Sequence, residues 1–218
     1  MENLAQKIKE SFKVYITAHG RRPKSVYEFA ENEDFSEQEF HEQFNSFQTL
    51  EAEIWREIGE KTIEKTQAEE VFTDYSGREK MLSFYFTLIE VLKEHRSFTS
   101  FYFRLQNQNG KKKLPFDRFS IFKKFRDEYL EFARDVVMEA SDTGEILMRP
   151  FIGEKYAELL WPQTYFIIKF WVEDTSDSFE NTDAAIEKSV NFSFDLMSKT
   201  PIDSAFDFGK FVVQNRWW

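Results

Sequence analysis

Apolar residues return at three- and four-residue steps along nearly the whole chain, the spacing of one face of an α-helix. Leu4, Ile8, Phe12, Tyr15 and His19 form the first such stripe. Gly20 is its stop signal, followed by a basic turn through Pro23. Ser25 with Glu28 reads as a capping box opening a second, short helix that turns Val26, Phe29 and Ala30 inward. Ser36 with Glu39 opens a third, whose apolar residues are Phe40 and Phe44. Beyond residue 46 the stripes lengthen: Leu50, Ile54 and Ile58 on a helix reaching Thr66; Met81, Tyr85, Leu88 and Leu92; Phe122, Tyr129, Phe132, Val136 and Ala140. Residues 107–113, Asn-Gly with a lysine run, read as an exposed loop. Tyr156, Leu160, Thr164, Ile167 and Trp171 mark an aromatic helix that Pro162 either kinks or starts. A polar linker over 174–181 precedes Ile186, Val190, Phe194 and Met197; Thr200-Pro201 breaks that helix, and a last one spans 203–214. Strand alternation is short everywhere. The pattern predicts an all-α fold of about nine helices.

Composition removes several classes of function. The 218 residues are 41% apolar and 31% charged, with 7 Gly and 5 Pro, which excludes collagen-like and largely disordered chains. No run approaches the roughly 18 apolar residues of a membrane span, and no signal peptide opens the chain. The absence of Cys leaves no disulfide, thiolate zinc site or thiol nucleophile and fits a cytoplasmic protein. None of His19, His41 and His95 has an acidic residue three positions before it, and His-Glu-x-x-His, phosphate-loop and nucleophile-elbow motifs are missing. The 39 carboxylates fall in mixed-charge helical patterns whose ordinary meaning is a solvated face. The sequence therefore offers no catalytic residue, metal site or cofactor, and no enzyme is predicted.

The front of the chain carries a more specific signal. Gly20, the stretch from Ser25 to Glu31 (SVYEFAE) and that from Phe35 to Leu50 (FSEQEFHEQFNSFQTL) resemble the helix-turn-helix of the TetR-family regulators. Phe29-Ala30, Phe35-Ser36, Phe40, Phe44, Ser46 and Leu50 stand where that family's pattern has its apolar pair, recognition-helix start, aromatic residues and fourth-helix opening. The family's recognition-helix Tyr falls at His41, and its phosphate-contacting Lys at Phe47. The resemblance covers residues 1–50 and implies an all-α homodimer. Its three-helix DNA-reading unit would span 1–47 and its ligand-binding and dimerisation bundle 48–218.

Charge complicates the DNA role. From Glu28 to Trp55 nine acidic residues face no Lys or Arg, and the recognition helix holds Glu37, Glu39 and Glu42. DNA affinity comes largely from cations on phosphates, so this stretch disfavours DNA as a partner. Residues 1–24 hold six bases against Glu2 and Glu10. Arg21, Arg22 and Lys24 on the turn are the candidate phosphate contacts, with Gln38 and His41 on the recognition helix. A second basic run, seven bases over 111–126, reads as a loop and helix start.

The outlier is aromatic content, 18% with 26 Phe. Most rings belong to core or interface, but bulky rings pack with gaps, and pockets between bundle helices are apolar with few polar points. Tyr85, Leu88, Phe101, Tyr129, Phe132, Trp161, Thr164 and Tyr165 are the pocket candidates, for a hydrophobic small molecule or lipid. Ile186, Val190, Phe194 and Met197, with Phe206 and Val212, are candidates for a homodimer surface. Two functions fit: a ligand-responsive transcriptional regulator, or the same fold without DNA binding, serving a lipid, another hydrophobic ligand or a protein partner.

Overall fold

A computed structural model describes residues 4–104, 119–198 and 211. Among these residues the chain forms nine α-helices and no strand. They are α1 (Leu4–His19), α2 (Val26–Glu31), α3 (Glu37–Gln43), α4 (Phe47–Gln67), α5 (Gly77–Lys93), α6 (Arg96–Arg104), α7 (Phe119–Asp142), α8 (Tyr156–Glu173) and α9 (Glu180–Met197). The all-α expectation holds.

The helix ends follow local chemistry. Gly20 closes α1 at φ +61°, donating its N–H to the Ile16 carbonyl at 2.9 Å. Ser36 and Glu39 form the complete capping box expected for α3, and Ser46–Thr49 and Ser76–Glu79 do the same for α4 and α5. At α2 only half of the expected box forms. Ser25 accepts from the Glu28 N–H, while the Glu28 carboxylate turns back to the Lys24 N–H. Pro162 lies inside α8, so it does not start that helix. The sixth helix is an addition. Phe98 with Tyr102, and Thr99 with Phe103, repeat at helical spacing over this run. The expected helix over 203–214 lies outside the described residues except for helical Phe211, and the loop over 107–113 and the Thr200-Pro201 break lie wholly outside them.

One hydrophobic core runs through the molecule. In its first part Phe29 is the hub, with Phe12, Tyr15, Phe35, Phe40 and Phe47 at ring-centroid distances of 5.3–6.3 Å. Phe47 opens α4, so α4 joins the short helices to the bundle. Further on, α4 lies against α7 so closely that a Cβ on Gly59 would sit 2.4 Å from the Phe125 ring. Only glycine permits that approach.

The start of α9 is held from a distance. Ser178 and Phe179 both have positive φ, and no side chain at the N-cap position closes the helix. Asp174 does so instead. One carboxylate oxygen accepts from the Ser176 N–H and hydroxyl, the other from the Thr182 N–H and hydroxyl, at 2.6–2.9 Å. These bonds favour the charged form, hold the carboxyl at about 2 and outweigh the opposing effect of burial. Because the folded value is depressed, the stabilisation is complete above the ordinary carboxylate range and fades as pH falls towards 2. Asp174→Asn lowers stability at pH 7 by about 1–2 kcal/mol. In urea unfolding the gap to the wild type narrows as pH drops from about 5 towards 2.

Candidate functional site

The basic turn sits between α1 and α2, and its three cations have different surroundings. Arg21 reaches the Glu28 carboxylate at 3.3 Å and lies 5.8 Å over the Tyr15 ring. Lys24 is exposed. Arg22, itself half exposed, covers buried Glu51: its Nε and one Nη hold the two carboxylate oxygens at 2.5 and 2.7 Å, a bidentate grip. On α3, Phe40 alone is buried. Gln38 is exposed and donates to Glu42 at 3.1 Å, and exposed His41 stands 3.9 Å from Glu37. Glu39 curls back onto the N–H and hydroxyl of Ser36, which lowers its carboxyl below the usual range. Of the three carboxylates on α3, one is thus occupied at the helix's own N-terminus.

Glu51 is the centre of a second arrangement. It lies on α4, fully buried, and accepts from the Tyr102 hydroxyl of α6 at 2.7 Å as well as from Arg22. Burial, reinforced by the neighbouring carboxylate, pushes the Tyr102 phenol well above its ordinary value, so it remains a donor. One carboxylate therefore joins the α1–α2 turn, α4 and α6. The sequence reading missed this contact. The residue types were visible, but nothing local pairs positions 22, 51 and 102.

The aromatic candidates fall into groups. Trp161, Thr164 and Tyr165 line a small cavity together with Phe103, Phe122, Phe125 and Ile168. Its volume is about 10 Å³, room for roughly one water. Tyr85 and Tyr129 lie behind Thr164: the Tyr85 hydroxyl is 3.0 Å from that of Tyr129 and 3.3 Å from Thr164 Oγ1. Burial raises both phenols, Tyr85 to about 12. Phe132 packs on Phe84, Phe101 on Tyr102, and Leu88 is plain core. The sequence reading did not name Phe103, Phe122, Phe125 and Ile168 for the pocket. Helical steps would have found the last two, since Phe125 is four residues before Tyr129 and Ile168 four after Thr164. Among the described residues no three His, Asp or Glu side chains cluster as a metal site. No helix there is long and apolar enough to cross a membrane.

Residues 80–212 match the family model described as "Tetracyclin repressor-like, C-terminal domain", more than half of the chain. The chain belongs to the TetR family. Its fold is similar to that of a bacterial regulatory protein of the TetR family from Rhodococcus RHA1, with a TM-score of 0.58 and 13% identity. That likeness covers 92% of this chain and 100% of the other. No curated protein matches the chain.

One set of expected positions in this TetR-family chain needs correction. Ile186, Val190, Phe194 and Met197 are buried within the single chain and so are not on a free dimer surface. Their stripe faces α5 and α8, the helices against which α9 packs. The apolar residues that α8 and α9 leave exposed are Leu159, Phe166, Phe192 and Leu196. Periodicity identified a buried face but not what buries it. Phe206 and Val212 lie outside the described residues.

The Glu51 arrangement has a measurable consequence. Arg22→Ala removes the half-exposed guanidinium from the buried Glu51 carboxylate, which keeps the Tyr102 hydroxyl, and destabilises the protein by about 1–2 kcal/mol in urea unfolding. Adding Glu51→Leu removes the stranded charge and recovers most of that loss.

Proposed function

We propose that this chain is a cytoplasmic, ligand-responsive transcriptional regulator, a homodimer that acts by binding rather than by catalysis. The observation that carries the reading is the Glu51 contact, because it ties the α1–α2 turn to the helix that borders the aromatic cavity. Tyr102 and Phe103 are adjacent on α6. One holds Glu51 and the other lines the cavity. A molecule that enlarges the cavity displaces the end of α6, disturbs Tyr102 and so shifts Glu51 and Arg22 beside the DNA-reading unit. Arg21 and Lys24 are the phosphate contacts; Gln38 and His41 face the groove.

The resting aromatic core is nearly closed, which suits a switch whose ligand selects an expanded arrangement. Glu39 is directed to the start of α3 by its capping box but keeps its charge, and with Glu37 and Glu42 it stays on the exposed surface of the helix, so phosphate attraction falls to the basic turn.

Fluorescence anisotropy on random duplex DNA from about 20 to 200 mM salt tests the DNA role. The log–log slope reaches several units, at roughly 0.9 per phosphate neutralised. Arg21→Ala and Lys24→Ala each flatten it by about one. Absence of binding at the lowest salt removes the regulator reading. For the dimer, the surface formed by Leu159, Phe166, Phe192 and Leu196 packs against its own copy about a two-fold axis. Sedimentation equilibrium shows a dimer for the wild type and a monomer for Phe192→Glu combined with Leu196→Glu. A wild-type monomer at micromolar concentration refutes this assembly.

A further inference from the structure

The described part of the basic run over 111–126 is the start of α7, and it stands beside the DNA-reading unit. Gln48, the second residue of α4, donates to the Ser120 hydroxyl, so α4 and α7 begin side by side. Further along, Trp55 meets Phe122 and Gly59 meets Phe125, and the two helices run onward from the same end of the bundle. Lys124 shares a groove of about 610 Å³ with His41 and Glu42 at the end of α3 and with Asn45 in the turn that follows.

Charge is sorted around the first turns of α7. Ile121, Phe122 and Phe125 are buried, while Ser120, Lys123, Lys124 and Asp127 lie on the exposed side. Lys123 makes no ion pair or hydrogen bond among the described residues. Lys124 pairs with Glu53 at 2.6 Å, but half of its side chain is exposed and Glu53 also holds Arg56. A surface pair of this kind is worth little, so Lys124 can leave it for a phosphate while Glu53 keeps Arg56. The first turn of α4 has no base of its own: Phe47 is packed on Phe12, Phe29 and Phe40, and Gln48 and Thr49 follow. Glu51 and Glu53, two residues apart on α4, point about 200° apart around it. Arg22 reaches the first and Lys124 the second, so the α1–α2 turn and the exposed bases of α7 come to α4 on different sides.

We propose that the start of α7 is a second contact for the phosphate backbone of duplex DNA, with Lys123 and Lys124 as its cations and Ser120 beside them. This contact rests on the reading of the chain as a DNA-binding regulator and extends its interface beyond the helix-turn-helix unit. A helix seated in the major groove lies between two phosphate backbones. The α1–α2 turn meets one of them, and the start of α7 meets the other. Such contacts set position without reading bases. They also supply attraction where α3, with Glu37 and Glu42 exposed, gives none.

Fluorescence anisotropy on random duplex DNA from about 20 to 200 mM salt tests the contact with three proteins. These are the wild type, Lys123→Ala combined with Lys124→Ala, and a control with Lys155→Ala and Lys188→Ala. The control removes the same charge from exposed positions just before α8 and on α9. The α7 variant flattens the log–log slope by about two, at roughly 0.9 per phosphate, and weakens binding roughly 50-fold at 0.1 M salt. The control leaves the slope as it is in the wild type. A wild-type slope of several units that the α7 variant does not change, or that the control lowers equally, overturns the contact and leaves the DNA role standing. No binding by the wild type at the lowest salt removes the regulator reading, and the α7 contact goes with it. Position is read separately. The chain has no Cys, so Ser120→Cys gives a single attachment point for an iron–EDTA cleavage reagent. Bound duplex is cut from position 120 and not from the same reagent on Lys155→Cys; equal cutting from both sites also overturns the contact.

Discussion

A single buried carboxylate sets the relation between the two ends of this molecule. Glu51 is fully enclosed, and an ionised group in that setting is tolerable only when a cation and further donors surround it. Arg22 comes from the turn after α1 and Tyr102 from α6, two elements far apart in the chain that meet at this one side chain of α4. Neither can drift without stranding the charge. The grip is bidentate, which fixes orientation as well as distance. Rigid placement of the basic turn against the bundle therefore rests on electrostatics at one point, set within a core otherwise held by apolar packing.

That core is built mainly from rings. Around Phe29 they pack edge-to-face at close distances, holding α2 and α3, six and seven residues long and too short to be stable alone, against α1 and the start of α4. Around Phe125 and Trp161 the same habit leaves a small gap, because flat, rigid side chains fill irregular space less completely than aliphatic ones. The cavity and two buried indoles without a hydrogen-bond partner, Trp55 and Trp161, occur in this second cluster, while a third such indole, Trp171, lies beside Arg96 and Phe179. Structural and functional demands thus fall on the same residue class, and the polar atoms separate them. Ring carbons satisfy the packing, while an N–H without a partner marks a place where packing alone is incomplete.

Charge on the surface is less one-sided than the sequence suggests. The acidic stretch from Glu28 to Glu53 engages several of its carboxylates within the chain, though only Glu51 is buried: Glu28 on Lys24, Arg21 and Tyr15, Glu39 on its own helix start, Glu51 on Arg22, Glu53 on Arg56 and Lys124. The same pairing occupies Arg22, which was among the bases expected to face phosphate. Internal ion pairs subtract from both sides of the tally, so formal charge along the chain overstates both the repulsion and the attraction presented to DNA.

Features with local causes were legible in the sequence. Capping boxes at Ser36, helix closure at Gly20 and the stripes of α4, α5 and α7 depend on residues within one or two turns of each other, and each was read correctly. Helix α6 carries the same periodic signal over only nine residues, too short a run to separate a helix from another buried aromatic segment by pattern alone. What the tertiary structure alone decided involves partners distant in the chain. Residues 22, 51 and 102 meet only because three helices pack in one way. Ile186, Val190 and Phe194 form an apolar stripe that reads identically whether it meets the same chain or a second one. Periodicity reports that a face is buried, since that follows from helix geometry and the aversion of apolar groups to water. Which surface covers it, and whether a gap remains, depends on the summed shapes of many side chains from far-apart positions, and no local rule contains that sum.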